Sequence, residues 1–108
     1  MKLAEKKCAS CQHLGAPLEK AEIDRLMPEL RGWTVENGLR LVKIYKTLDF
    51  AESLALANKI AEIAEEEGHH PDLLVRWAQL KIDLWTHVIH GLSESDFILA
   101  AKIDRLAP

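Results

Sequence analysis

The dipeptide Asn37-Gly38 constrains the fold of this chain more than any other short feature of the sequence. Both residue types accept the positive φ angles of a tight turn, and Asn-Gly between two strand-like segments is the strongest short signal for a two-residue β-hairpin. The flanking residues 33–36 and 39–45 are rich in apolar and aromatic side chains. The sequence therefore predicts two antiparallel strands here.

A second pair of strands is predicted further along the chain. Residues 73–77 have β-forming composition, a turn is expected near Ala78-Gln79, and residues 80–87 alternate between apolar and polar side chains. Successive side chains of a strand point to opposite faces. The apolar face holds Leu80, Ile82 and Leu84, and the other face holds Lys81, Asp83, Trp85 and His87. This parity separates a core face from an open face.

Three further segments have the apolar spacing of helices. The first ends at Gly32, the second runs from Phe50 to about Glu67 behind an Asp49 cap, and the third follows a capping box of Ser93 and Asp96. The predicted buried positions are Ile23, Leu26, Met27 and Leu30, then Leu56, Ile60, Ile63, Ala57, Ala61 and Ala64, and last Leu99, Ile103 and Leu106. The predicted element order is α-β-β-α-β-β-α.

This order predicts an α+β fold, a two-layer sandwich in which three helices cover one face of a four-stranded antiparallel sheet. The 108 residues suffice for one domain and one core, and they exclude a large dinucleotide-binding fold with a separate substrate domain. Residues 1–17 have no periodicity and are expected to be a poorly ordered lead-in to a single domain at 18–108. The open sheet face, with Tyr45 and Trp85 on or near it, predicts assembly of several copies.

Charge and composition exclude several classes of protein. The formal net charge of −3 argues against a nucleic-acid partner. No apolar run is long enough to span a membrane, and residues 1–7 lack the apolar stretch of a signal peptide, so a cytoplasmic location is expected. Cys8 and Cys11 alone cannot make a disulfide framework.

Three histidines stand out as candidate catalytic residues. His69 and His70 lie just beyond a predicted helix end, and His87 lies at the end of a predicted strand. Imidazole both gives and takes protons near neutral pH. A polar turn without function is the alternative for His69 and His70. Metal binding is a second alternative, although the two lack the i, i+4 spacing that presents two ligands from a helix.

The remaining histidines and cysteines carry weaker signals. His13 and His90 are expected at the surface. Cys8, Cys11 and His13 together offer donors for a zinc site shared between subunits, but no metal is expected.

The spacing of several residues resembles the signature of the pterin-4a-carbinolamine dehydratases. Its positions are Glu65, His69, His70, Pro71, Trp77, His87 and Asp96. The likeness extends to Gly91-Leu92-Ser93, to Gly32-Trp33 and to the CxxC pair, which look like the bacterial members associated with phenylalanine hydroxylase.

The resemblance implies a hydro-lyase that converts 4a-hydroxytetrahydropterin to quinonoid dihydropterin and water, and so recycles the pterin of aromatic amino acid hydroxylases. This reaction requires a general acid and a general base and no metal or redox cofactor. The resemblance makes His69, His70 and His87 the catalytic residues. We expect His69 and His87 to be alternative acids on the two faces of the pterin, and His70 to be the base or a ring contact.

Four supporting residues are expected to bind or orient the substrate. Glu65 could instead be part of a solvated helix end, Trp77 could fill the core of the hairpin, and Asp96 could serve only in its capping box. Pro71 is expected to shape the turn that aims the histidines.

Other functions stay open at this point. Animal relatives also act as a dimerisation cofactor of a transcription factor, so a non-catalytic binding or regulatory module is one alternative, and a paralogue acting on another pterin is another. The resemblance also implies a homodimer or homotetramer, and an aromatic amino acid hydroxylase is a candidate partner.

Overall fold

The computed structural model describes residues 3–8 and 16–108, and its element order confirms the predicted one. The helices and strands are α1 (Lys20–Leu26), β1 (Thr34–Glu36), β2 (Arg40–Lys46), α2 (Phe50–Glu67), β3 (Asp72–Arg76), β4 (Gln79–Leu84) and α3 (Glu94–Leu106). Short 3-10 turns lie at Leu3–Glu5, Met27–Glu29 and His87–Ile89. None of the helices in these described ranges combines the length and apolar character needed to cross a bilayer.

The four strands form one antiparallel sheet in the order β1-β2-β4-β3. The two hairpins meet at the centre, where Leu41 of β2 pairs with Leu84 of β4. Leu80, Ile82 and Leu84 have no exposed surface, so the predicted parity of β4 is confirmed. Their face of the sheet packs on the helices, with the core completed by Ile23, Leu26, Ile60, Phe97, Leu99 and Ile103. The structure is thus the predicted α+β sandwich.

Both hairpin turns differ by one residue from their predicted positions. Asn37 and Gly38 have φ angles of 53° and 67°, as predicted, but Glu36 pairs with Arg40, so the loop contains three residues and not two. The second turn consists of Trp77 and Ala78, because Gln79 is already paired in the sheet. The cross-strand register decides these boundaries, and local turn preference does not.

Some side chains lie elsewhere than predicted. Tyr45 faces the helices and not the open face, since its hydroxyl donates a hydrogen bond of 2.7 Å to the carbonyl of Ala107 beyond α3. Ala61 is exposed, and Leu106 is 39% exposed because the last turn of α3 extends past the core. α1 ends at Leu26, and the 3-10 turn that follows it contains Pro28.

Part of the predicted lead-in packs on the domain. Leu3 is 1% exposed against α3, and the backbone N–H of Cys8 donates to the Glu67 carboxylate at 2.9 Å. Burial, together with the charge of Glu67, raises the pKa of the Cys8 thiol to about 12, so the sulfur is protonated at neutral pH. Cys11 and His13 lie outside the described residues, and the boundary at residue 17 stays a prediction.

A buried ionic cluster ties α3 to the first hairpin. The Asp104 carboxylate accepts bonds from the Lys43 ammonium at 2.6 Å, the Trp33 indole at 2.8 Å and the Arg31 backbone N–H at 2.9 Å. The side chains of Lys43 and Asp104 are only 11% and 7% exposed. Burial removes the water that would solvate these charges, so the stability of each buried charge depends on its oppositely charged partner.

We expect Asp104→Ala to lower the free energy of unfolding by about 3–5 kcal/mol, because it leaves the buried Lys43 ammonium without its counter-ion. Urea unfolding followed by circular dichroism measures the change. Asp24→Ala, which removes the exposed Lys20–Asp24 pair, is the control and should change stability little. Equal losses of unfolding free energy in Asp104→Ala and Asp24→Ala would show that the buried cluster stabilises the fold no more than the exposed ion pair does.

Candidate active site

The three predicted histidines lie around a single cleft of about 240 Å³. Its walls are Gly68, His69, His70, Pro71, Asp72, Trp85, Thr86, His87 and Val88. One wall is the connection from α2 to β3, and the other is the segment that follows β4. The pairing of β3 with β4 brings these two segments together.

The chain reversal at the end of α2 gives the side chains of His69 and His70 different exposures to solvent. Gly68 caps the helix with a φ angle of 66°, a left-handed conformation that glycine accepts without strain. The His69 backbone N–H still reaches the Ala64 carbonyl at 3.2 Å. As a result the His69 side chain is 4% exposed, whereas that of His70 is 61% exposed. Pro71 lies between this reversal and β3, where it was expected.

His69 forms the most buried polar contact of the site. Its Nε2 atom lies 2.6 Å from Oδ1 of Asp96, a residue with no exposed surface. The other carboxylate oxygen accepts from the Thr86 hydroxyl at 2.8 Å and from the Ser93 backbone N–H at 2.9 Å. Since an ionised carboxylate only accepts, Nε2 of His69 carries the hydrogen, and in the neutral ring Nδ1 keeps a lone pair.

Asp96 has the capping role considered from the sequence, and it also contacts His69. The Ser93–Asp96 capping box is present, and the same carboxylate orients His69. Its position does not suit direct substrate binding, because it is fully buried behind His69 and does not line the cleft. Asp96 therefore contacts the buried side of His69.

His70 is paired with Glu65 across the last turn of α2. Nε2 of His70 bonds to Oε2 of Glu65, and both side chains are largely exposed. Glu65 is thus part of a solvated helix end and also a partner of a candidate catalytic histidine. It does not line the cleft itself.

His87 packs against an aromatic ring that was not selected from the sequence as a site residue. The ring centroids of His87 and Trp85 lie 4.0 Å apart at 35°. The Arg40 guanidinium lies 5.6 Å from the Trp85 ring centroid, and the indole N–H of Trp85 donates to Asp72 at 3.4 Å. The shared parity of Trp85 and His87 on the open face was the available signal for Trp85. Nothing local in the sequence indicated Asp72 or Thr86.

Trp77 is not brought to the cleft within its own chain. It lies in the turn at the far end of the β3–β4 hairpin and is 74% exposed. The alternative that it fills the core of the hairpin is therefore wrong. Its predicted contact with substrate stays a prediction.

The described residues contain no group of three His, Cys, Asp or Glu side chains placed to hold a metal ion. His90 is exposed, as expected, and it does not line the cleft.

A helix-covered antiparallel sheet with three histidines around one cleft defines a small α+β protein. The family model described as Pterin 4 alpha carbinolamine dehydratase matches residues 16–106. The chain belongs to this family, and dehydratase activity toward a pterin carbinolamine is the activity that the family name states.

Known relatives agree with this assignment. A protein of Rickettsia bellii, provisionally named a pterin-4-alpha-carbinolamine dehydratase, is 52% identical over 105 residues, which cover 96% of this chain and 93% of the relative. A protein of Alkaliphilus metalliredigens with the same name is 48% identical over 104 residues, covering 95% and 94%.

One solved structure has the same fold. The Brucella melitensis protein described as a transcriptional coactivator/pterin dehydratase superposes with a TM-score of 0.78 at 26% identity, and the match covers 85% of this chain and 99% of that one.

We expect Thr86→Val to make the orientation of the His69 ring less well defined, because the buried Asp96 carboxylate that holds the ring loses a hydroxyl donor. The free energy of unfolding should fall by about 1–3 kcal/mol. Nitrogen-15 NMR of the His69 ring should show a defined Nε2–H form in the native protein and its loss in the variant. Thr86→Ser keeps the hydroxyl and is the control. A valine variant with native ring resonances and native stability would contradict this role of Thr86.

Proposed function

We propose that this protein dehydrates 4a-hydroxytetrahydropterin to quinonoid dihydropterin. The observation that carries the proposal is the cleft in which three histidines meet, one of them oriented by a buried carboxylate. Membership of the family supports the substrate class.

The reaction needs only proton transfers. A general acid protonates the hydroxyl on C4a, the C4a–O bond breaks and water leaves. A general base takes the proton from N5, and the electrons of the N5–H bond form the C4a–N5 double bond. Each transfer made by a positioned side chain contributes a factor of about 10² to 10⁴.

His69 suits the role of one acid. With Nε2 held by Asp96, its Nδ1 atom is the one left to carry a proton to substrate. The imidazolium form has its counter-charge in the Asp96 carboxylate, so the ring need not turn when it gains or loses a proton.

His87 is proposed as the second acid, on the opposite wall of the cleft from His69. The 4a carbon is a stereocentre, so its hydroxyl projects from either face of the pterin ring. An acid on each wall of the cleft allows the hydroxyl of either diastereomer to be protonated. His70, paired with Glu65, is proposed as the base at N5 or as a ring contact.

The ring of Trp85 offers a planar surface beside His87. A pterin is also planar and aromatic, and offset stacking of such rings is favourable. Pro71 lies on the other wall of the cleft, in the connection from α2 to β3. We propose that the pterin lies between these walls.

The biological role proposed with this activity is recycling of the pterin cofactor of an aromatic amino acid hydroxylase in the cytoplasm, with that hydroxylase as a candidate partner. A non-catalytic regulatory module is the second candidate. The regulatory module is supported by the Brucella melitensis protein, which is described as a transcriptional coactivator as well as a pterin dehydratase. A paralogue that dehydrates another pterin is the third.

Kinetics with separated 4a-hydroxytetrahydropterin diastereomers test the catalytic assignment. We expect His69→Ala to slow one diastereomer by about 100-fold or more and His87→Ala to slow the other, measured by the loss of carbinolamine absorbance. His90→Asn is the control, since His90 is outside the cleft and asparagine accepts its φ of 52°.

Equal loss of both diastereomers in both variants would overturn the two-sided assignment. A native protein that does not accelerate the reaction above its spontaneous rate would overturn the dehydratase proposal and favour the regulatory module.

We also propose a homodimer or homotetramer. The open sheet face carries Ile44 and Leu74, each about half exposed at 51% and 52%. Burial of such a surface between copies is favourable. Sedimentation at micromolar concentration should give a dimer or tetramer, and a monomer would contradict this expectation.

A further inference from the structure

Among residues 3–8 and 16–108, His87 is the histidine of the cleft whose ring has no polar partner. The other two histidines each bond to a carboxylate through a ring nitrogen. Within the same described ranges, no hydrogen bond or ion pair reaches the His87 ring, and its ring contact is with Trp85. His87 is exposed and begins a short 3-10 turn, so burial does not fix its side chain. The contact with Trp85 is therefore the interaction that can set the direction of this imidazole.

The two rings are close enough for a direct aromatic contact. The ring centroids of Trp85 and His87 lie 4.0 Å apart, and their planes are tilted by 35°. This separation leaves no room for a water molecule between the overlapping parts of the rings. Any rotation that lifts the imidazole from the indole loses the contact, so the indole favours one orientation of the imidazole.

Trp85 is itself held from both neighbouring strands. It directly follows β4, and the β2–β4 register, continued by one residue, sets it opposite Arg40. The guanidinium carbon of Arg40 lies 5.6 Å from the indole centroid, in a favourable cation–π contact. On the other side, Asp72 of β3 pairs with Asp83, two residues before Trp85, and the Asp72 carboxylate accepts the indole N–H at 3.4 Å. Diagonal neighbours in a sheet are within reach of aromatic side chains, which explains this contact.

We infer that Trp85 is the positioning residue of His87, and that the indole, held by Arg40 and Asp72, sets the direction in which the imidazole faces the cleft. Trp85 and His87 both line the cleft. The effect on turnover rests on the proposed function, because it requires His87 to transfer a proton. The ring contact itself does not depend on that function.

This role differs in its kinetic effect from the proposed stacking of the pterin on Trp85. A ring that only stacks on substrate contributes binding, so its loss raises KM for both carbinolamine diastereomers. A ring that positions His87 acts on the chemical step, so its loss lowers kcat. That loss should follow His87, and appear for whichever diastereomer His87→Ala slows.

Trp85→Leu removes the aromatic ring and keeps an apolar side chain. We expect it to lower kcat about tenfold or more for the diastereomer that His87→Ala slows, because a small misplacement of a catalytic group is costly. For a diastereomer that His87→Ala leaves unchanged, kcat should stay near native. Trp85→Phe keeps a ring and should restore most of the kcat. Phe50→Leu, which removes a half-exposed ring at the start of α2, is the matched control and should be native toward both.

The coupling between the two residues is tested in the double variant. If Trp85 acts through His87, Trp85→Leu should cause no further loss of kcat once His87 is replaced by alanine, whereas independent effects would multiply. Multiplying losses, kcat losses that do not follow those of His87→Ala, or a change in KM alone would overturn the positioning role.

The part played by Arg40 is tested separately. Arg40→Leu removes the cation from the indole and should lower kcat by about 2- to 5-fold for the same diastereomer as Trp85→Leu. Native kinetics in Arg40→Leu would overturn the statement that Arg40 helps to hold the indole.

NMR tests the placement of His87 without turnover. In the native protein, the His87 ring protons should show a ring-current shift and nuclear Overhauser contacts with the Trp85 indole. Trp85→Leu should move the His87 signals toward those of a free imidazole and leave the His69 signals unchanged. His87 signals that are the same in both proteins would overturn the inference. If the native chain proves inactive toward the carbinolamine, the dehydratase proposal fails, while the NMR result still decides whether Trp85 orients His87.

Discussion

The candidate site depends on one buried carboxylate. Asp96 starts α3 through its capping box and holds His69, the residue that follows the end of α2, by a bond of 2.6 Å. Thr86 donates to the same carboxylate from the segment after β4. The end of α2, the segment after β4 and the start of α3 are therefore joined at a group with no exposed surface, where unpaired polar atoms are unfavourable. This requirement for complete pairing fixes the orientation of the His69 ring.

The rest of the site is built from strand and helix ends around that contact. Gly68 stops α2 and lets the chain reverse, so that His69 turns inward while His70 stays with Glu65 at the surface. The segment after β4 carries Trp85 and His87 to the facing wall. The result is a cleft that brings a buried, oriented imidazole together with two further histidines, the arrangement on which the proposed acid and base roles rest.

Much of this could be predicted from the sequence. Strand parity identified the buried face of β4, the capping signals of Asp49 and Ser93 located two helices, and the histidine spacing selected residues that do meet in one cleft. The first hairpin loop is one residue longer than predicted and the second turn lies one residue earlier, because pairing across the whole sheet sets the register. Tyr45 was assigned to the wrong face, since β2 shows no clear alternation that would have identified it.

The sequence by itself determined the local elements and their order, because turns, caps and apolar periodicity act over a few residues, and it singled out the three histidines as candidates. Only the tertiary structure decided which of these side chains meet. The bond between His69 and Asp96 spans 27 positions and exists because α3 packs beside the end of α2. The contact of Trp85 with Asp72 and the separation of Trp77 from the histidines likewise follow from how the β3–β4 hairpin is paired, a long-range property that no local pattern encodes.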